Sequence, residues 1–295
     1  MPQEFKDRAY LTSEMSLPEK EAPREERKRI PEVIRREFCR NNFGLQHDDP
    51  VLFITSQSGP RLFYRIWTTL WAIYHLVVIL LQPYFQWSEN KLPSALWLVY
   101  MTNWGYTVLV TYSILDCIAT HYVHIRRKDI ISGMNIKMSW YLKFNWVLFN
   151  IMTDMALFIT ILYYGLLTPD FHPDSVLTHL LNTVYIVTNL FVCAKPIRLL
   201  HVIYPSLFAT IYAIFSVIYQ TSGGSAIYPV LDWNKVSFTL PLSIGLVIFA
   251  LPVMHACVFG MYQLRVYLYR KSCAITKVDA VKTDTKETEI VQTRY

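Results

Sequence analysis

Six long runs of mostly apolar residues divide the chain between residues 62 and 262. They cover Leu62–Leu81, Ala95–Ala119, Phe144–Leu167, Val176–Ala194, Leu199–Tyr219 and Phe238–Tyr262. Each has 19 to 25 residues, enough for a helix to cross about 30 Å of hydrocarbon. One or two such runs could be the buried core of a soluble protein, but six leave almost no polar shell to cover them. The sequence therefore predicts an all-α fold, a polytopic membrane bundle of about six transmembrane helices.

The composition agrees with a membrane protein. Hydrophobic residues make up 53% of the chain and charged residues only 17%, whereas soluble domains carry about 25% charged residues. The first sixty residues contain no apolar stretch typical of a cleavable signal peptide, so the first run is expected to act as an uncleaved signal-anchor. We expect an integral, multi-pass protein of the plasma membrane or an endomembrane.

Lys and Arg residues predict how the chain is oriented. They collect before the first run, between the second and third, between the fourth and fifth, and after the sixth. The other three connections together hold only Lys91 and Lys235. Because positive charge favours the cytosolic side, both termini are predicted to be cytosolic. The net charge of +6 then indicates contact with anionic membrane lipids, and nucleic-acid binding is not needed to explain it.

Three regions follow from this pattern. Residues 1–60 are a cytosolic N-terminal segment, disordered over residues 1–30 because Glu, Lys, Arg and Pro dominate there. Within it, residues 30–45 fit a short helix, lying on the inner leaflet or packed on cytosolic loops. Residues 61–265 form the six-helix transmembrane domain, and residues 266–295 form a polar cytosolic tail with no fold of its own. No Cys/His set has metal-ligand spacing, and no cofactor is expected.

Two predicted spans place polar groups where hydrocarbon should dominate. The second contains Thr102 and Asn103, and the fourth contains His179 and Asn182. Both spans enter from the outer side in the predicted topology, which puts Thr102 about 10 Å deep and His179 about 5 Å deep. The two side chains are therefore expected in the same outer third of the membrane. Their depth is predicted, but the adjacency of their helices is not.

The remaining polar groups within the spans have two interpretations. They are Asp116, Asn150, Asp154, Asn189, His201 and His255. As interhelical hydrogen-bond partners they would contribute about 0.6 kcal/mol each. Alternatively, Asp154, Asn150 and Asp116 could line the path of a transporter, since carboxylates within a membrane often mark such paths. The chain has no inverted repeat or broken helix pair to favour the transporter.

A hydroxyl beside an imidazole can form a nucleophile and its base. Thr102 would be the nucleophile and His179 the base, provided that the two lie within hydrogen-bonding reach. Asn182 or Asn103 would orient the imidazole or donate to the developing oxyanion. The substrate of such a site would be a lipid ester reaching it from the membrane, and the alternative is a purely structural role for all four residues.

Four strings, in this order and spacing, resemble the rolling stone family. They are EFCRNNFGLQHDDPVLF before the first span, YMTNWGY in the second, THLLNTVY in the fourth and IYPVLDW before the sixth. The resemblance covers Phe38 to about Tyr269. Where the family pattern would have SQW after the first string, this chain has Ser56, Gln57 and Ser58.

The resemblance implies an insect multi-pass membrane protein linked to myoblast fusion and muscle development. The rolling stone family is in turn remotely similar to the androgen-induced family of membrane hydrolases, which cleave fatty-acid esters of hydroxy fatty acids with an intramembrane Thr and His. By position, that pair would fall on Thr102 and His179. The resemblance thus implies a role in fusion and, as an alternative, an intramembrane threonine hydrolase acting on carboxylic esters. It names no protein partners.

Overall fold

The computed structural model describes residue 32 and residues 34–88, 94–134, 137–166 and 175–292. Across these ranges the chain is all-α, as predicted: they contain no strand, and an isolated antiparallel bridge joins Ser56 to Cys193. The helices are α1 (Arg61–Ser88), α2 (Met101–Arg126), α3 (Lys128–Ile131), α4 (Trp140–Leu166), α5 (Leu181–Val192), α6 (Ile203–Thr221), α7 (Val236–Gly245) and α8 (Leu251–Gln292).

Short helical turns connect or precede these helices. The 3₁₀ turns are Arg40–Phe43, Pro50–Phe53, Ser94–Val99, Leu199–Val202 and Trp233–Lys235. Two π-helical turns also occur, Val176–Leu180 before α5 and Leu246–Ala250 between α7 and α8. The second π turn ends two residues before Pro252. Because proline has no N–H to donate to the carbonyl four residues earlier, the regular α-helical bonding cannot continue there.

The chain divides into two units, residues 1–40 and 41–295. In the first unit, residue 32 and residues 34–37 are helical, with the Ile34 and Phe38 side chains exposed. The helix predicted over residues 30–45 thus falls partly outside the described residues. The disorder predicted for residues 1–30 lies outside them entirely.

Five helical segments are long and apolar enough to cross a membrane. They are Arg61–Tyr84, Met101–Arg126, Trp140–Gly165, Leu199–Thr221 and Trp233–Cys273. The fourth predicted span is a shorter apolar helix, Val176–Val192, which includes the first π turn. The chain is therefore an integral membrane protein with five candidate spans. A sixth crossing and the cytosolic position of the termini stay predictions.

Helix α2 lies between α1 and α4, α6 and α8 both pack on α4, and α8 also packs on α5. Large side chains such as Tyr112, Phe149 and Trp146 fill the interior. Other large apolar side chains are exposed on the outer surface; two of them, Leu80 and Phe249, are each 69% exposed. In water this much exposed apolar surface would promote association. In hydrocarbon it carries no such penalty, which is consistent with a bundle surrounded by lipid.

The predicted tail, residues 266–295, is part of α8 as far as Gln292, and its lack of a separate fold stays a prediction. Thr and Lys are the most frequent residues from Lys271 onward, and of these Lys has a high helix propensity. The polar composition of this segment is thus compatible with a helix.

A buried ion pair lies where α5 ends. Lys195 follows α5 and is fully buried, with its Nζ 2.6 Å from Oδ1 of Asp116 on α2. The same ammonium donates to the hydroxyls of Tyr64 on α1, at 3.0 Å, and Tyr112 on α2, at 2.9 Å. Both hydroxyls donate in turn to Oδ2 of Asp116. All three ammonium protons are therefore used, as a charge inside a bundle requires.

Residues 193–198, here called the 193–198 connection, are held by side chains from several helices. Arg265 of α8 donates to the carbonyls of Leu190, at 2.8 Å, and Lys195, at 2.9 Å. Trp146 of α4 donates through its indole N–H to the Pro196 carbonyl at 2.9 Å. Side chains thus satisfy several carbonyls of this connection, which helps a non-helical segment to lie in the protein interior.

We expect Lys195→Ala to destabilise the protein by about 3–5 kcal/mol, because it leaves the Asp116 carboxylate buried without its counter-charge. Thermal unfolding of purified protein in detergent, followed by size-exclusion fluorescence, measures the change. The control is Lys235→Ala, whose side chain is 70% exposed and lies 3.7 Å from Asp232. Equal midpoints for the two variants would show that the buried pair does not stabilise the fold.

Candidate functional site

A cavity of about 660 Å³ lies at the end of the bundle opposite the 193–198 connection. This is the end where α1 and α4 finish and where α2 and α5 begin. Its wall contains residues from six helices or their flanking turns and from the loop after α6, and it includes Gln82, Thr102, Asn103, Tyr163, His179, Tyr228 and Ser243. The size is that of a small-molecule site, which is usually about 300–1,000 Å³.

Thr102 and His179, the predicted nucleophile and base, both line this cavity. Sequence reasoning placed Thr102 well inside the second span, whereas α2 begins at Met101 after the 3₁₀ turn Ser94–Val99. Thr102 therefore lies in the first turn of its helix. The structure brings the two residues to one cavity because their helices start at the same end of the bundle.

Tyr228 lies in the same cavity wall as Thr102. It comes from the loop between α6 and α7, and its hydroxyl accepts a bond of 3.0 Å from the backbone N–H of Met101. Burial raises the pKa of the Tyr228 hydroxyl, so this group stays neutral and able to donate. Sequence reasoning did not single out Tyr228, since a tyrosine in an outer loop usually indicates anchoring at the lipid headgroups.

His179 lies in the first π turn and is buried against α4. Its imidazole stacks on the Tyr163 ring, with centroids 3.9 Å apart and planes 9° from parallel. The Tyr163 hydroxyl accepts a 2.9 Å bond from Ser175, which also lines the cavity. The His179 carbonyl accepts a bond of 3.3 Å from Thr160. Both ring and backbone are thus held by neighbours, which fixes the direction of the imidazole.

The two predicted supporting amides have different positions. Asn103 lines the cavity, and its Nδ2 donates to the Trp97 carbonyl at 2.7 Å. Asn182 is buried one turn after His179, and its Nδ2 donates to the Thr178 carbonyl. A side-chain amide carries two N–H groups. Asn103 can therefore hold its helix start and still direct a donor at a bound molecule, while Asn182 braces the π turn.

Both π turns contribute to the cavity wall. Thr178 and His179 come from the first, and Leu246 and Val247 from the second. A π turn adds a residue to a helical turn and redirects the side chains that follow, and such turns are frequent at functional sites. Hydrophobic periodicity could not have predicted either turn, because both lie within runs that read as uninterrupted helical spans.

The loop between α6 and α7 closes one side of the cavity with Tyr228, Pro229, Val230 and Leu231. Asp232 fastens it: its Oδ1 accepts from Nε2 of Gln220 at 2.8 Å, and its carbonyl accepts from Thr239 at 2.6 Å. The IYPVLDW string before α7 is therefore structured.

The other polar groups of the spans lie outside the described cavity lining. Asp154 pairs with His255 at 2.6 Å, and the other imidazole nitrogen of His255 lies 2.9 Å from the Arg198 carbonyl. Asn150 lies 3.3 Å from Nδ1 of His201. These contacts join different helices, as the hydrogen-bond interpretation predicts. The carboxylates named for a transporter each have a partner and do not line this cavity.

Comparison with known proteins gives one family. Residues 29–283 match the family described as protein rolling stone. Protein rolling stone of Drosophila melanogaster is 28% identical over 251 residues, which cover 78% of this chain and 89% of that protein. No solved structure matches the chain. The matched region contains every residue of the cavity wall.

We expect Asp232→Ala to loosen the loop that closes the cavity, seen as faster hydrogen–deuterium exchange at residues 228–235. Hydrogen bonds from Gln220 and the Asn234 backbone hold the pKa of Asp232 below its usual value of 3.8. The carboxylate thus stabilises the loop above pH of about 4, and this contribution is lost as pH falls through the lowered pKa. Exchange relative to the intrinsic rate should not change between pH 5 and 8. Asp129→Ala, in an exposed pair with Arg127, is the control and should leave the loop unaffected.

Proposed function

The chain belongs to the rolling stone family, and on that basis we propose that it acts in myoblast fusion and muscle development as a multi-pass membrane protein. The observation that carries the proposal is the length of the match, residues 29–283, which includes all five candidate spans. The loop between α6 and α7 is only about a dozen residues long, so a direct fusogen with a large outer domain is not favoured. A role within the membrane of one cell fits better.

Depletion of the protein in differentiating myoblasts should reduce the number of nuclei per fibre. Expression of the intact chain should restore it, while Lys195→Ala should restore less because of its lower stability. Normal multinucleate fibres after complete depletion would contradict a role in fusion.

We also propose, as a second candidate, an intramembrane hydrolase of lipid esters. The observation that favours it is that Thr102 and His179 line one cavity of suitable size. Thr102 Oγ would attack the ester carbonyl while His179 accepts the hydroxyl proton, and the alcohol would leave with that proton. Water would then hydrolyse the acyl-threonine and restore both groups. For this step the Thr102 hydroxyl must lie within hydrogen-bonding reach of the His179 imidazole.

Charge develops on the carbonyl oxygen in this reaction, and a donor must stabilise it. Asn103 is the better placed of the two predicted amides, since it lines the cavity beside Thr102. A single such donor contributes about 2.7–4 kcal/mol of transition-state stabilisation in well-characterised hydrolases. Asn182, held to the Thr178 carbonyl, would act by keeping the His179 turn in place.

Purified protein should react with a fluorophosphonate probe, and either Thr102→Ala or His179→Ala should reduce labelling at least a hundredfold. The matched control is Thr107→Ala, on the same helix but exposed and bonded to the Asn103 carbonyl. Labelling of this control should equal that of the intact protein. Undiminished labelling of Thr102→Ala would exclude the threonine as the nucleophile.

A further inference from the structure

Gln82 has a buried donor facing the cavity. It lies near the end of α1, its side chain is 5% exposed, and it forms part of the cavity wall. Its Nε2 atom is buried and has no hydrogen-bond partner among the described residues. Leaving a buried N–H unbonded destabilises a fold, so such groups usually serve a ligand or an ordered water. The position inside a cavity favours a ligand.

Ser243 of α7 repeats the observation from another helix. Its Oγ is also buried without a hydrogen-bond partner among the described residues, and it too lines the cavity. Two buried polar atoms without partners in the same wall are better explained by a common ligand than by a chance lack of a partner at Gln82. Because the Gln82 group is a donor, the ligand must present an acceptor oxygen to it.

The charge of the wall restricts the head group of that ligand. The described lining residues include no Lys, Arg, Asp or Glu. An ionised phosphate or carboxylate would be costly to bury there, since no opposite charge would compensate for its lost hydration. Neutral oxygens, as in an ester or an alcohol, need only hydrogen-bond donors such as the Gln82 amide.

The rest of the wall suits a hydrocarbon chain. Phe158, Ile159, Leu162, Leu246 and Val247 form an apolar side of the cavity. The cavity lies between helices whose outer surfaces are exposed and apolar, which places it inside a bundle surrounded by hydrocarbon. The volume of about 660 Å³ accommodates one chain with a small head group more readily than a two-chain phospholipid.

We infer that the cavity binds a neutral single-chain lipid ester of the monoacylglycerol class, with Nε2 of Gln82 donating to the ester carbonyl. The inference rests on the hydrolase proposed above, because it assigns the substrate class of the same site. It adds Gln82 as a binding residue, which puts a donor on the carbonyl that Thr102 would attack.

Binding is measured with a photoreactive monoalkylglycerol ether, which cannot be hydrolysed, on the full-length protein in nanodiscs. Competing ligands are the monoacylglycerol, the free fatty acid and the lysophosphatidic acid of the same chain length. The monoacylglycerol should compete at least tenfold more strongly than either anionic lipid. Equal or stronger competition by an anionic lipid would overturn the assignment of a neutral head group.

Gln82→Leu removes the donor at similar volume and should weaken competition by the monoacylglycerol about tenfold. The ether has no carbonyl, so its own binding to each variant serves as the reference. The matched control is Gln46→Leu, an exposed glutamine outside the cavity. Ala213→Phe, which fills the cavity from α6, should abolish binding. Thermal midpoints confirm that each variant is folded. Monoacylglycerol competition in Gln82→Leu equal to that of the Gln46→Leu control would overturn the role of Gln82.

The two proposals fail in different ways. If the hydrolase proposal alone is wrong, the protein does not react with fluorophosphonate, yet it binds the ether and discriminates against anionic lipids. If the ligand assignment alone is wrong, fluorophosphonate labelling depends on Thr102, while the ether either does not bind or binds equally well to Ala213→Phe. Thr102→Ala should retain ether binding, since the threonine is proposed to act in the chemical step.

Discussion

The way in which α1, α2 and α5 meet depends on the burial of one positive charge, the ammonium of Lys195. Lys195 could lie in the interior only because Asp116, Tyr64 and Tyr112 receive all of its protons. These partners come from α1 and α2, so satisfying the ammonium brings both helices to the end of α5. Arg265 and Trp146 then bond the neighbouring carbonyls. In a membrane, where the hydrophobic effect does not drive helices together, such bonds decide which helices are neighbours.

The two ends of the bundle differ in kind. At one end, the 193–198 connection is held by a dense set of hydrogen bonds that includes the Lys195–Asp116 ion pair. At the other, two π turns, a helix start and a loop surround about 660 Å³ of space, and Gln82 and Ser243 keep buried polar atoms without a described partner. Because the contacts at the first end stabilise the fold, the cavity end can contain polar groups that do not themselves contribute to stability. This division is common in proteins whose binding regions are less stable than their scaffold.

Much of the architecture could be predicted from the sequence, because hydrophobic run length and charge bias report depth in the membrane. Depth placed Thr102 and His179 in one layer, and the structure has them in one cavity. Depth does not report rotation or adjacency, so Gln82 and Tyr228 were missed. In the sequence, Lys195 is one of the positive charges between the fourth and fifth runs. Its burial could not be predicted, because it depends on partners that are 79 to 131 positions earlier in the chain. The start of α2 was misplaced by six residues, because the 3₁₀ turn Ser94–Val99 is as apolar as a span.

Helices α7 and α8 form one continuous rod through the second π turn, from Val236 to Gln292. Leu246 on this rod faces the cavity, His255 bonds Asp154, and Arg265 bonds the 193–198 connection. The rod cannot swing as a single piece without breaking the contacts of both His255 and Arg265. The irregular bonding at Leu246–Ala250 therefore lies between the part of the rod that lines the cavity and the part that His255 and Arg265 fix to the rest of the bundle.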